Sequence, residues 1–175
     1  GRTTDAKREL QQVLSKDPQN DIALSLFGQC LLEEKKTDEA ITVFQQAIAL
    51  EPENAYYFYL LGFAYYIKSD YVKAVEELTN AISMNPYAAE FFGLLGHVHI
   101  GQLKYETALE KADEGLALDP ENITALNARS IALNKLRRTD DAVETMKTTL
   151  SMDPDNAITH ATVGWNFLEK GKHKE

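Results

Sequence analysis

Residues 16–28 read KDPQNDIALSLFG. Proline cannot continue a helix, because it has no N–H and its ring clashes with the preceding turn. Asn20 follows Pro18 by two residues and stands ahead of an apolar run, where its side chain can accept from the free N–H groups of a new helix. The stretch therefore reads as the close of one helix and the opening of the next. The same frame returns as LEPENAYYFYLLG at 50–62, MNPYAAEFFGLLG at 84–96, LDPENITALNARS at 118–130 and MDPDNAITHATVG at 152–164. All five prolines of the chain, Pro18, Pro52, Pro86, Pro120 and Pro154, are spaced by 34 residues. A fixed period of this size is the signature of an array of stacked units.

Other columns keep the same phase. Counting from Asp21, the eighth position holds Gly28, Gly62, Gly96, Ser130 and Gly164, and the twentieth holds Ala40, Ala74, Ala108 and Ala142, with Ala6 one period earlier. The twenty-fourth holds Phe44, Leu78, Ala112 and Met146, preceded by Leu10. Small residues at eight and twenty let two helices approach closely, and apolar residues three and four apart give each helix one packing face. Asn20, Asn54, Asn122 and Asn156 are the expected caps; the third junction, Tyr87-Ala88, lacks its Asn and should be capped more weakly. The series Leu24, Phe27-Gly28, Leu31, Ala40, Phe44, Ala47, Pro52 and its successor Phe58, Leu61-Gly62, Tyr65, Ala74, Leu78, Ala81, Pro86 resembles the tetratricopeptide repeat along the whole chain.

The resemblance implies an all-α fold, a right-handed superhelix of antiparallel helix pairs. The units are half a repeat at 1–20, full repeats at 21–54, 55–88, 89–122 and 123–156, and half a repeat at 157–175. Ten helices are expected, the first near 3–16 and the last near 157–170. Both ends cut through a repeat, while natural arrays end in atypical capping units, so the chain is expected to be part of a longer protein.

Composition narrows the functional classes. The net charge is −9, against the cationic contacts that dominate nucleic-acid binding, and no cluster of Lys and Arg offsets it. No apolar run approaches the ~18–20 residues of a membrane span, and no signal peptide opens the chain. Cys30 is the single cysteine, so no intrachain disulfide forms; the expected compartment is the cytoplasm, with the periplasm as the alternative. No HExxH, phosphate loop or G-x-S-x-G is present. His97 and His99 are two apart and diverge on a helix, and His160 and Cys30 fall at packing positions. No enzyme activity, cofactor or metal is expected, and the acidic pairs such as Asp38-Glu39 and Asp140-Asp141 read as a solvated outer face.

The stretch AYYFYLLGFAYYIK, residues 55–68, carries seven of the aromatic residues. At about 100° per residue, Phe58, Leu61, Gly62 and Tyr65 share one arc, the packing positions of the repeat. Tyr56, Tyr59, Phe63 and Tyr66 share a second arc, nearly opposite. The resemblance implies that the second, fifth, ninth and twelfth positions of each first helix line the concave groove. Those are the four residues just named, with Ser25, Gln29 and Leu32 in the preceding unit, Glu90, Gly93, His97 and, one residue past the twelfth, Gly101 in the next, Thr124, Asn127, Ile131 and Asn134 after that, and Ile158, Ala161, Trp165 and Leu168 last. Gly93 and Gly101 read as leaving space beside the aromatic stripe, and Asn127 can meet both the donor and the acceptor of a peptide bond. The expected ligand surface is Tyr56, Tyr59, Phe63, Tyr66, Gly93, His97 and Asn127, and the expected partner is a peptide or helix of another protein with an apolar anchor. The alternative is an assembly module that forms a homodimer or docks within its own longer chain. The positions that would clamp a C-terminal carboxylate, Ser25, Gln29, Leu60, Glu90 and Leu94, hold no base, which argues against that ligand.

Overall fold

The computed structural model describes residues 2–152 together with 154, 155, 160, 161 and 164. Among the described residues there are nine helices: α1 (Arg2–Lys16), α2 (Asp21–Glu33), α3 (Thr37–Leu50), α4 (Ala55–Ile67), α5 (Tyr71–Met84), α6 (Ala89–Gly101), α7 (Tyr105–Leu118), α8 (Ile123–Lys135) and α9 (Thr139–Met152). Of the helix expected over 157–170, residues 160, 161 and 164 are described and are helical; the Asn156 cap, Ile158, Trp165, Leu168 and His173 lie outside the described residues. No described helix is long and apolar enough to cross a membrane. The chain divides into two compact units, residues 1–86 with α1–α5 and residues 87–175 with α6–α9.

The helix starts follow from their caps. Asn20 accepts from the Ala23 N–H at 2.8 Å, Asn54 from Tyr56 at 3.1 Å and Asn122 from Ala125 at 3.0 Å. Ala88, at the third junction, caps α6 with no side-chain bond. Asp70 caps α5 by accepting from the Lys73 N–H at 3.3 Å.

The turn inside each helix pair also repeats. Lys35, Ser69, Leu103 and Arg137 all sit near φ 60°, the left-handed region that costs a side chain roughly 1–2 kcal/mol. Each turn closes with two bonds: Lys35 N–H to Leu32 and Lys36 N–H to Leu31, then Ser69 to Tyr66 and Asp70 to Tyr65, Leu103 to Ile100 and Lys104 to His99, Arg137 to Asn134 and Arg138 to Leu133. This is the Schellman closure, which satisfies the last carbonyls of a helix. It is built here four times without the glycine that usually serves it.

Helix-pair packing follows the small-residue columns. Ala40, Ala74, Ala108 and Ala142 are fully buried. In the first unit, a Cβ on Gly62 would stand 2.8 Å from the Leu78 side chain and 3.4 Å from the Ala74 carbonyl. In the second, Leu133, Ala142 and Met146 form one buried cluster with Leu109 against it.

A further column is buried at the third position of the first helices: Ala23, Tyr57, Phe91 and Ala125. Tyr57 shows where it points. Its hydroxyl donates to the Asp21 carboxylate at the start of α2, so in α4 this face packs on the preceding repeat. Phe58, expected in the core, is half-buried instead, while its neighbour Tyr57 is 3% exposed.

Candidate functional site

The second aromatic arc of α4 is partly exposed, as its position opposite the packing arc requires. Tyr56 is 43% exposed, and Tyr59, Phe63 and Tyr66 are half-buried. The rings pair along the helix: Tyr56 and Tyr59 stack at 5.7 Å and 24°, and Phe63 and Tyr66 at 6.5 Å and 24°. Tyr66 also tilts against Tyr71 of α5 at 6.3 Å; burial and that neighbouring phenol raise its pKa. Such pairs contribute about 0.5–1.5 kcal/mol each beyond area burial, so the stripe is a stiff surface and not a set of loose rings.

Within the first unit, α2 and α4 enclose a groove of about 240 Å³, lined by Gln29, Leu32 and Glu33 of α2 and Tyr56, Tyr59, Leu60 and Phe63 of α4. Three of the four stripe aromatics meet there, together with Gln29 and Leu32, the positions named for the preceding repeat. Leu60, named above only as a carboxylate-clamp position, and Glu33, not named at all for the groove, join them. Each lies four residues beyond a lining residue, Tyr56 and Gln29, and residues four apart share a helix face. The volume is below the ~300–1,000 Å³ of small-molecule sites, which suits a side chain or two better than a cofactor.

The second-unit candidates differ from expectation. Gly93 opens no space: it is buried, and a Cβ there would stand 2.7 Å from the Ala125 backbone nitrogen and 3.0 Å from the Thr124 carbonyl carbon. It is a close crossing of α6 on α8. Asn127 is buried at 7% exposure on α8. His97 is half-buried; desolvation pushes its pKa down and a bond to the Thr124 backbone opposes the shift. The imidazole is therefore neutral at pH 7.

The remaining polar groups have structural partners. His99, also buried, places Nδ1 3.2 Å from Gln102 Oε1, and burial lowers its pKa. His160 is exposed rather than packed, with Nε2 2.7 Å from the Pro154 carbonyl. Cys30 is half-buried, and burial with Glu33 and Glu34 raises its thiol pKa, which keeps it protonated. Asp38 pairs with Lys68 at 2.6 Å, Asp113 with Arg129 at 2.7 Å and Asp141 with Arg138 at 2.6 Å. Among the described residues no group of three or more His, Cys, Asp or Glu side chains is arranged to hold a metal.

Helix hairpins repeated on a 34-residue period define a helical-repeat scaffold for protein interaction. The chain belongs to the tetratricopeptide repeat family, whose models match residues 1–62 and 94–157. Its solved neighbours are of the same architecture. A crystal structure of MamA protein is 25% identical with TM-score 0.69, over 90% of this chain and 86% of that one. A thermophilic TPR protein from Thermus thermophilus is 19% identical with TM-score 0.85, over 96% and 92%. The first TPR of Spaghetti, bound to the HSP90 peptide SRMEEVD, is 17% identical with TM-score 0.65, over 67% and 96%. No curated protein sequence matches the chain.

Proposed function

We propose that this scaffold binds a peptide or helix of another protein, taking an apolar anchor into the α2–α4 groove. One observation carries the reading: Tyr56, Tyr59 and Phe63, set on the arc away from the packing face, share a single groove with Gln29 and Leu32 of the preceding repeat. A partly exposed aromatic wall over an apolar floor is where interfaces concentrate their energy. Tyr66 extends the wall through its stack on Phe63. In the second unit, His97 is the candidate that keeps exposed surface.

The test pairs binding with stability. A phage-displayed random peptide library is selected on the whole chain, and the selected peptides are measured on Tyr59→Ala and Phe63→Ala. Each truncation should weaken binding by about 2 kcal/mol, or roughly thirty-fold. Denaturant unfolding of the same variants should change less than for Tyr57→Ala and Tyr65→Ala, whose buried rings (3% and 6% exposed) cost about 3–5 kcal/mol on truncation. Should Tyr59 and Phe63 destabilise as much as Tyr57 and Tyr65, the stripe is core and the reading fails.

A further inference from the structure

We infer that the apolar anchor this groove prefers is an indole, a tryptophan of the bound peptide whose ring N–H donates to Gln29 Oε1. The inference rests on the peptide-binding reading of the α2–α4 groove and names both the anchor and the residue that selects it.

Gln29 is the one carboxamide of the lining, beside the apolar side chains of Leu32, Leu60 and Phe63, and it is half-buried. Its Nε2 reaches back along α2 to the Ser25 carbonyl at 3.5 Å, beyond the usual span of an N–H···O bond. With the amide nitrogen turned to the helix backbone, Oε1 is the end left for a ligand, and among the described residues no donor meets it. Covering a half-buried acceptor with a purely apolar group removes its bond to water and replaces it with nothing. A leucine anchor would do that, whereas an anchor with one donor satisfies the oxygen.

The indole combines a large apolar surface with a single N–H that donates and does not accept. A phenol would also donate, but it would bring its own acceptor lone pairs against an apolar lining. The rings of Tyr56 and Phe63 line the same groove and offer faces and edges to an incoming aromatic. A bicyclic ring also fills more of the 240 Å³ than a leucine does. Glu33 and Tyr56, the exposed members of the lining, discriminate less, because a bond from a ligand there only replaces one from water.

The experiment uses three acetylated nine-residue peptides of serine and alanine that differ at the central position: tryptophan, 3-benzothienylalanine (a sulfur in place of the ring N–H) or leucine. Their affinity for the whole chain is read by fluorescence polarisation. The tryptophan peptide should bind about five-fold tighter than the benzothienyl peptide, the worth of one neutral hydrogen bond. That margin should vanish in Gln29→Leu, which removes the acceptor, and persist in Gln29→Glu, which keeps one. A margin that survives in Gln29→Leu overturns the inference. If the three peptides bind equally and all are lost in Phe63→Ala, the groove reading stands and the indole inference falls. If none of the three binds, both readings fall.

Discussion

Gly93→Ala adds a methyl group where the backbone of α8 already stands. The new Cβ would lie 2.7 Å from the Ala125 nitrogen, 3.0 Å from the Thr124 carbonyl carbon and 3.1 Å from the Ala125 Cα. Ordinary contact begins near 3.4 Å, so α8 must retreat by about 0.7 Å, the difference between 3.4 and 2.7. No side chain can swing aside, because all three atoms are main chain, and Ala125 and Leu126 are themselves buried. Helix propensity acts the other way: alanine is favoured over glycine by roughly 1 kcal/mol in a helix interior. Overpacking costs about 1–3 kcal/mol, and a backbone obstacle puts this site at or above the upper end. The expected net loss is about 2 kcal/mol, with Tm lowered by about 4–8 °C. Because repeat arrays are held by nearest-neighbour contacts, amide hydrogen exchange should place the loss on α6 and α8. An unchanged or raised denaturation midpoint would refute the reasoning. It would mean that α6 and α8 stand apart and that Gly93 opens room after all.

Three other outcomes can be checked. Leu103→Gly should raise stability by about 0.5–1 kcal/mol in urea unfolding, because an exposed leucine at φ 62° gives up a left-handed strain of ~1–2 kcal/mol that glycine's extra unfolded freedom only partly offsets. Tyr57, whose pKa is pushed up from 10 to about 12 by burial first and the Asp21 carboxylate second, holds its proton more tightly when folded. Its contribution is complete below pH 10 and lost as pH rises through 12, so Tyr57→Phe should cost about 1 kcal/mol at neutral pH and flatten the alkaline limb of a stability–pH curve. His97 has its pKa lowered from 6.5 by burial, so the unfolded chain binds that proton first. Stability should be full above pH 6.5 and decline as pH falls, and His97→Gln should lessen that decline in acid titrations followed by circular dichroism.

The architecture is legible in the sequence because proline, asparagine and the small residues each have one strong physical reading in a helix, and all recur in phase. Even the deviation at Ala88 is readable, since its methyl group cannot accept a bond and α6 has no side-chain cap. The helical wheel puts Tyr56, Tyr59, Phe63 and Tyr66 on one arc, which is partly exposed, but it cannot order the flanks of the packing arc. Tyr57 and Phe58 are adjacent, and which of them is buried depends on where the preceding repeat lies, information the wheel lacks. Gly93 misleads because a helical glycine fits both an open space and a close crossing, and only the position of α8 decides. The left-handed turns leave no trace, because Lys35, Ser69, Leu103 and Arg137 share no residue type and none is glycine.

The hydrogen bond from Tyr57 to Asp21 bears on whether the repeats are interchangeable parts. Tyr57 needs a carboxylate at the first helical position of the repeat before it, and that position reads Asp21, Ala55, Ala89 and Ile123 along the chain. Only the repeat opened by Asp21 supplies one. Moved behind any other, the segment 55–88 would bury a phenol facing alanine or isoleucine, at a cost of about 1–3 kcal/mol for the unmade bond. The period makes these units look like copies of one another, but this contact gives them an order, and the repeat that carries the aromatic groove has only one neighbour that fits beneath it.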